Sequence, residues 1–168
     1  MKFKFAILAA AALISSAALS ADNGFYVGAG IGASDVSAKD ANWSATDFGW
    51  KLFAGYDFNK YLALEAAYLN GGSPSDQGLK VDVYTTDVAL IGKWPVADAF
   101  DLHAKIGYGW WDLKPHGFDS QSGSDLLWGF GAGYRFGDHL IFSADWERQD
   151  TKYTDRADLW TVSAGWKF

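Results

Sequence analysis

Three histidines are the side chains best suited to acid–base chemistry, at His103, His116 and His139. A hydrolase that acts by nucleophilic attack needs a serine beside such a histidine and an acid that orients the ring. On a β-strand, a His-x-Ser pair would place both side chains on one face. None of the three histidines has a serine two residues later, and His139 precedes Ser143 by four residues. The spacing therefore argues against a serine hydrolase.

A metal site is the second chemistry that the residue types suggest. One polar segment contains Asp112, His116, Asp119 and Asp125. Zinc and calcium sites require ligands at restricted spacings, and this set matches none of them. A solvated acidic loop accounts for these residues better, so we expect no resident metal ion and no cofactor.

Ten charged residues recur at alternate positions within apolar segments, and five are acidic and five basic. They are Lys51, Glu65, Asp87, Lys93, Asp101, Lys105, Arg135, Asp145, Glu147 and Lys167. Charges confined to one face are costly unless they pair, so the balanced signs predict ion pairs between strands. His103 shares its parity with Asp101 and Lys105, which indicates a polar filling residue.

The elements that carry these charges are predicted to be about eight β-strands. In segment 48–56, Phe48, Trp50 and Leu52 share one parity, while Gly49 and Lys51 share the other. Such alternation over about ten residues is typical of a strand that spans a bilayer. We predict strands near residues 25–34, 47–57, 61–70, 83–94, 100–111, 125–136, 140–148 and 157–168. Segment 61–70 has the helix-favouring residues Ala, Leu and Glu, but its alternation favours a strand.

The connections between these strands alternate in length. Short ones are predicted at 57–60, 95–99 and 137–139, and long ones at 35–46, 71–82, 112–124 and 149–156. Short turns at one end and long loops at the other are typical of an up-and-down outer-membrane barrel. Both chain termini would then lie on the periplasmic side, with the short turns.

The two faces of the predicted strands differ in bulk, which indicates how the barrel is oriented. The bulky apolar face would overfill the narrow lumen of an eight-stranded barrel, so we expect it to contact lipid. The other parity contains eleven glycines, at Gly28, Gly30, Gly32, Gly49, Gly55, Gly107, Gly109, Gly129, Gly131, Gly133 and Gly165. Larger residues of that parity should fill the lumen, namely Tyr26, Phe53, Tyr61, Trp111, Leu127, Ile141 and Leu159.

Residues 1–21 have the pattern of a signal peptide, with Lys2 and Lys4 before an apolar run and small residues near Ser20 and Ala21. Cleavage after either Ser20 or Ala21 fits, which leaves residues 22–168 as one barrel domain.

Loss of the two lysines leaves 12 Lys and Arg against 20 Asp and Glu, a formal charge of −8. Such acidity argues against nucleic acid as a partner. The sequence has no cysteine, so no disulfide stabilises the fold.

Three segments carry a resemblance to a known family: 25–32, 129–136 and 160–168. The first two are similar to strands of OmpA-like and opacity-type outer-membrane barrels, and the third is similar to their C-terminal assembly signal, here at Trp166 and Phe168. The resemblance implies an all-β fold, an eight-stranded antiparallel up-and-down transmembrane β-barrel without a periplasmic domain. It also implies a structural charge network in the lumen, formed by Glu65, Lys105, Arg135, Asp145 and Glu147.

The function implied by this resemblance is a structural or surface role in the bacterial envelope, without enzymatic activity. A narrow pore for small solutes and a lipid A-modifying enzyme are the alternatives. Expected partners are outer-membrane lipids and lipopolysaccharide, with divalent cations as an open possibility for bridging to its phosphates. The outer-membrane assembly machinery and periplasmic chaperones are also expected partners. We expect a monomer located in the outer membrane.

Overall fold

Antiparallel β-strands form almost all of the computed structural model, which describes residues 23–38, 44–72, 75–76, 79–115, 121–149 and 154–168. The strands are β1 (Gly24–Ala38), β2 (Ser44–Asn59), β3 (Leu62–Asn70), β4 (Ser75–Asp76), β5 (Leu79–Pro95), β6 (Phe100–Pro115), β7 (Gln121–Phe136), β8 (Leu140–Gln149) and β9 (Thr154–Lys167). In these ranges, no helix is long and apolar enough to cross a membrane. The predicted signal peptide lies outside the described residues.

Eight of these strands close into a barrel. Each pairs with its neighbours in the chain, β3 pairs with β5, and β1 pairs with β9 so that Val27 lies opposite Trp166. The two-residue strand β4 pairs only with the first residues of β5. Closure leaves no barrel strand with an unpaired edge, which removes the usual site of aggregation. The all-β, eight-stranded antiparallel fold predicted from the sequence is confirmed.

Within segment 61–70, Leu62–Asn70 forms the strand β3 rather than a helix. Leu64 pairs with Tyr56 of β2 on one side and with Leu90 of β5 on the other. Ladder hydrogen bonds on both sides and apolar cross-strand contacts outweigh the high helix propensity of alanine and leucine.

Several strands are longer than predicted, and the extra residues lie at the loop end of the barrel, opposite the short turns. Strand β1 continues to Ala38, β2 begins at Ser44, and Ser37 pairs with Ser44. The long connections are correspondingly shorter than expected. Apolar alternation ends at the membrane surface, but polar residues continue the backbone ladder beyond it. The sequence pattern therefore underestimates the strands at this end.

The outer face of the barrel is a broad band of exposed apolar side chains. Phe48 is 79% exposed, Trp94 75% and Phe136 61%, and Leu52, Leu90 and Ile106 lie between such aromatic residues. Soluble monomers rarely expose so large a continuous apolar area. The orientation predicted from residue bulk is confirmed, since this surface suits lipid and not water.

The lumen is narrow and largely filled. Tyr26, Trp111, Leu127 and Leu159 are buried, and Phe53 and Ile141 pack against the cluster around Tyr26. The prediction for Tyr61 is wrong, because the chain turns at residues 60–61 and leaves that ring 55% exposed.

Two lumenal glycines allow this filling. A Cβ atom at Gly55 would meet the Tyr26 ring, and one at Gly28 would meet the Phe53 ring. The absence of side chains at these two positions therefore makes room for the rings.

Candidate functional site

Four charged side chains meet in the middle of the lumen, and we call them the central cluster: Lys51, Glu65, Lys105 and Glu147. They come from β2, β3, β6 and β8, and each is at most 6% exposed. Glu147 Oε1 accepts hydrogen bonds from Lys51 Nζ at 2.8 Å and from Lys105 Nζ at 2.6 Å. Glu65 Oε1 lies 3.5 Å from Lys51 Nζ and 3.3 Å from Lys105 Nζ. Two cations and two anions thus alternate without net charge.

The central cluster is continuous with the aromatic filling of the lumen. The Tyr26 hydroxyl donates to Glu65 Oε2 at 3.1 Å, and Lys51 Nζ lies 6.0 Å from the centre of the Phe53 ring. Because buried charges are stable only when their remaining hydrogen-bonding positions are satisfied, Tyr26 helps to hold Glu65 in place.

A chain of hydrogen bonds runs from the central cluster toward the short turns. His103 Nε2 lies 2.7 Å from Asp145 Oδ1, and His103 Nδ1 lies 3.0 Å from Asp101 Oδ1. The Ser143 hydroxyl donates to Asp145 Oδ2 at 2.7 Å. Lys105 Nζ is 3.9 Å from Asp145 Oδ1, which links this chain to the central cluster.

At the short-turn end, one carboxylate holds two lysines. Asp57 Oδ1 is 2.6 Å from Lys93 Nζ, and Asp57 Oδ2 is 2.9 Å from Lys167 Nζ. Lys93 Nζ also lies 5.4 Å from the centre of the Tyr26 ring. These contacts fasten β2, β5 and β9 together at the lumen mouth.

At the loop end, uncharged side chains narrow the lumen together with a charged one. Trp111 Nε1 donates to Asp125 Oδ2 at 2.8 Å, and Gln149 Nε2 donates to the Gly109 carbonyl at 3.1 Å. Leu127 and Leu159 are buried beside them.

Two buried polar groups stand apart from this network. Asp87 is 4% exposed, and no ion pair joins it to another residue within the described ranges. The Thr161 hydroxyl has no hydrogen-bond partner among the described residues. The lumenal network is therefore not fully satisfied by protein groups.

A cavity of about 80 Å³ remains between the central cluster and the short turns. Charged and titratable side chains line it, including Asp101 and His103 of the hydrogen-bonded chain and Arg135 and Lys167 at the short-turn end. This volume suits a few water molecules, which bind where several polar groups converge.

The structure does not place all the network residues predicted from the sequence together. Glu65, Lys105 and Glu147 lie in the central cluster, and Asp145 lies beside it. Arg135 instead lies at the short-turn end, opposite Ile141, and forms no ion pair with another residue of the described part.

Sequence reasoning placed Asp57 where a predicted strand meets a turn and left it out of the ten paired charges. It named Lys51 among those ten charges, but not among the five residues of the lumenal network. Asp57 has the same inward parity on β2 as Lys51 and Phe53, and that signal could have found it.

The structure describes only some of the four residues considered as metal ligands, Asp112, His116, Asp119 and Asp125. His116 and Asp119 lie outside the described residues, while the Asp125 carboxylate binds the Trp111 indole. Among the positions that the structure describes, no three His, Cys, Asp or Glu residues are grouped to hold a metal ion.

The predicted assembly signal lies on the outer face at the short-turn end. Trp166 and Phe168 are exposed, and the Trp166 ring stacks on His139 with 4.9 Å between centroids. The Phe168 backbone N–H donates to the Phe25 carbonyl at 2.9 Å, which fixes the end of the chain to β1.

Comparisons with solved structures agree with this architecture. Neisserial surface protein A is similar, with 17% identity, a TM-score of 0.68, and coverage of 86% of this chain and 97% of that one. The N-terminal β-barrel domain of Pseudomonas aeruginosa OprF has 13% identity, a TM-score of 0.63, and coverage of 86% and 98%. Ail of Yersinia pestis, solved in complex with the heparin analogue sucrose octasulfate, has 17% identity, a TM-score of 0.58, and coverage of 86% and 99%.

At these identities, the solved structures establish the fold alone. No curated protein matches the chain significantly. The outer membrane protein β-barrel domain, however, matches residues 6–168. The chain therefore belongs to the family of outer membrane protein β-barrel domains.

Proposed function

We propose that this outer-membrane barrel has a structural and surface role and is neither an open pore nor an enzyme. The observation that carries the proposal is the central cluster, which crosses the lumen from four strands. Its four charged groups are buried and paired at 2.6–3.5 Å. Such pairing closes the lumen at mid-height and links strands that are not neighbours in the sheet.

The signs of the lumenal charges support this proposal over ion selection. Selective pores use rings of one charge sign along the path of the ion. Here each lysine of the central cluster faces two glutamates, and Asp57 is bound by two further lysines. An ion entering the lumen would have to break these pairs.

The positions of Ser143 and His103 favour a non-enzymatic role. A serine nucleophile needs a histidine that accepts its proton, but the Ser143 hydroxyl donates to Asp145. Both ring nitrogens of His103 are engaged by carboxylates inside the lumen. A lipid substrate would approach the outer face, which these side chains do not reach.

The orientation of the barrel is part of the proposal. Residues 1–21 serve as a signal peptide, and both termini lie in the periplasm together with the short turns. Trp166 and Phe168, at the C-terminal end of β9, are then the residues that periplasmic chaperones and the outer-membrane assembly machinery recognise while the chain is still unfolded. The loops between the long strands face the exterior.

The charge of the loop end indicates which surface partners it suits. Segments 35–47, 71–84, 112–125 and 149–158 together contain eleven aspartates but only five Lys and Arg residues. Ail was solved with a sulfated heparin analogue, but an excess of carboxylates would repel such a polyanion. Cationic partners, or lipopolysaccharide phosphates bridged by divalent cations, fit this end better.

A narrow pore is the second candidate function, and the cavity on the short-turn side of the central cluster favours it. Planar-bilayer recordings of the refolded chain distinguish the two. We expect no steady ohmic channels from the wild type and raised conductance from a K51A/E147A double variant. Thr86→Ala, on the outer face, is the matched control. Steady ohmic channels from the wild type would establish the pore and refute the structural proposal.

A further inference from the structure

We propose that a groove on the outer face of the barrel is a binding site for one acyl chain of a phospholipid. The groove has a volume of about 520 Å³. Its floor is formed by Ala132 and Ala144, which lie directly opposite each other on β7 and β8. Both are exposed and project little from the sheet, so they leave a depression in an otherwise bulky surface.

Aromatic side chains form one wall of this acyl groove. On the loop side of the floor, Phe130, Trp146 and Trp160 are adjacent across β7, β8 and β9. The ring centroids of Phe130 and Trp146 are 4.9 Å apart, and those of Trp146 and Trp160 are 6.3 Å apart. The contacts between these rings produce a continuous wall and not separate projections.

The strand register gives the length of the acyl groove. One cross-strand row connects Leu102, Ala132, Ala144, Val162 and Ile31, from β6 to β1. Four strand spacings of about 4.8 Å give the row a length of about 19 Å along the curved outer surface. An acyl chain spans one leaflet, half of a hydrocarbon core of about 30 Å, or about 15 Å. The row is therefore long enough for one such chain.

The chemistry of the acyl groove excludes a polar ligand. Its outward side chains are alanine, valine, isoleucine, leucine and aromatic residues. Gly32, Gly131, Asp145 and Thr161 also line it, but they have inward parity, and the Asp145 carboxylate is bonded to His103 and Ser143 inside the lumen. The groove is continuous with the lipid-facing band, so hydrocarbon is the material that can fill it.

The occupant we infer is a phospholipid whose head group lies at the short-turn surface. Leu102, at one end of the row, is only two residues from the start of β6 at Phe100. An acyl chain that enters at Leu102 would run along the floor, on the short-turn side of the aromatic wall. A second barrel fits less well, because its convex outer face would contact the rims of the groove and not its floor.

The test uses the full chain in nanodiscs of phosphatidylethanolamine and phosphatidylglycerol, with a trace of phospholipid that carries a diazirine in its acyl chain. After photolysis, peptide mass spectrometry locates the cross-links. We expect them to concentrate at 130–132, 144–146 and 160–162. An even distribution around the outer face would refute the site.

Paired variants make the test specific. A132L/A144L fills the floor, whereas A54L/A66L adds the same bulk at two exposed alanines that face each other on β2 and β3. Cross-linking at the acyl groove should fall about fivefold or more in the first variant, which corresponds to about 1 kcal/mol, and stay unchanged in the second. Equal effects of the two variants would contradict the proposal.

Folding and self-association are checked on the same samples. Heat-modifiable gel mobility reports whether each variant folds. If A132L/A144L does not fold, the wild-type cross-link map alone decides whether the acyl groove is a binding site. Native mass spectrometry counts the copies. A dimer that A132L/A144L abolishes and A54L/A66L retains would identify a second copy as the occupant and overturn the lipid assignment.

Discussion

Lys51 and Glu147 are 96 positions apart in the chain, yet their Nζ and Oε1 atoms are 2.8 Å apart in the middle of the lumen. They belong to β2 and β8, which are separated in the sheet by β1 and β9. The contact is therefore made across the lumen and not along the strand ladder. Its formation requires a closed barrel, and it stabilises that closed state.

Removal of Glu147 should destabilise the barrel strongly. Glu147→Ala leaves Lys51 and Lys105 buried with Glu65 as their shared partner, and breaking a buried ion pair in this way typically costs about 3–5 kcal/mol. Urea-induced unfolding in lipid vesicles measures the free energy of unfolding. Asp98→Ala, in an exposed short turn, is the control and should resemble the wild type. A Glu147→Ala protein of wild-type stability would show that the central cluster does not stabilise the fold.

The lipid-facing assignment predicts the effect of a charge on the outer face. Leu52→Arg or Leu90→Arg should cost about 2–4 kcal/mol if the residue lies near the midplane. Refolding yield and unfolding free energy in bilayers provide the measurement. Asp138→Arg, exposed in a short turn, serves as the comparison and should have little effect. If Leu52→Arg behaved like Asp138→Arg, this face would not be in contact with hydrocarbon.

Added bulk inside the lumen should be destabilising where the same bulk outside is tolerated. A Cβ atom at Gly131 would meet His103 Nε2 and Asp145 Oδ1, whereas one at Gly92 has no atom within 4 Å. Gly131→Leu should therefore cost at least about 1–3 kcal/mol through overpacking. Gly92→Leu, on the outer face of β5, should fold normally. Thermal unfolding followed by gel mobility compares the two, and equal stability would contradict the assignment of the faces.

The C-terminal residue gives a test in cells. Phe168→Asp should reduce the amount of folded barrel in outer-membrane fractions much more than it reduces refolding in detergent, because the terminal aromatic residue is proposed to be recognised during assembly. Quantitative heat-modifiable gel mobility of both preparations measures the difference. Phe136→Asp, another exposed aromatic at the short-turn end, controls for loss of lipid contact. Equal losses in the two variants would argue against a specific assembly signal.

Within the strands, side-chain parity predicted which residues face the lumen, but it failed at the turn residue Tyr61 and could not show which lumenal residues meet. Lys51 and Lys105 both have inward parity, yet their shared contact with Glu147 depends on the stagger between strands β2, β6 and β8. That stagger is a property of the closed barrel, and no local pattern encodes it.

Arg135 illustrates the same limit along the barrel axis. It has inward parity, but it is the last inward residue of β7, beside the turn at Gly137, so it lies at the lumen mouth and not in the central cluster. Asp57 was missed because it is both the last residue of the predicted strand 47–57 and the first of the predicted turn 57–60, although it belongs to the β2 ladder.

The pairing of β1 with β9 has a consequence for biosynthesis. The strand that completes the barrel is the last of the eight to be translated, so no closed lumen can form before β9 has been made. Until β9 has been made, β1 has an unpaired edge, and the lysines and glutamates of the central cluster cannot meet in a closed lumen. Folding is thus a whole-chain event dominated by contacts between distant residues, and such topologies fold slowly. The nascent protein must accordingly remain unfolded and shielded from aggregation until β9 has been synthesised.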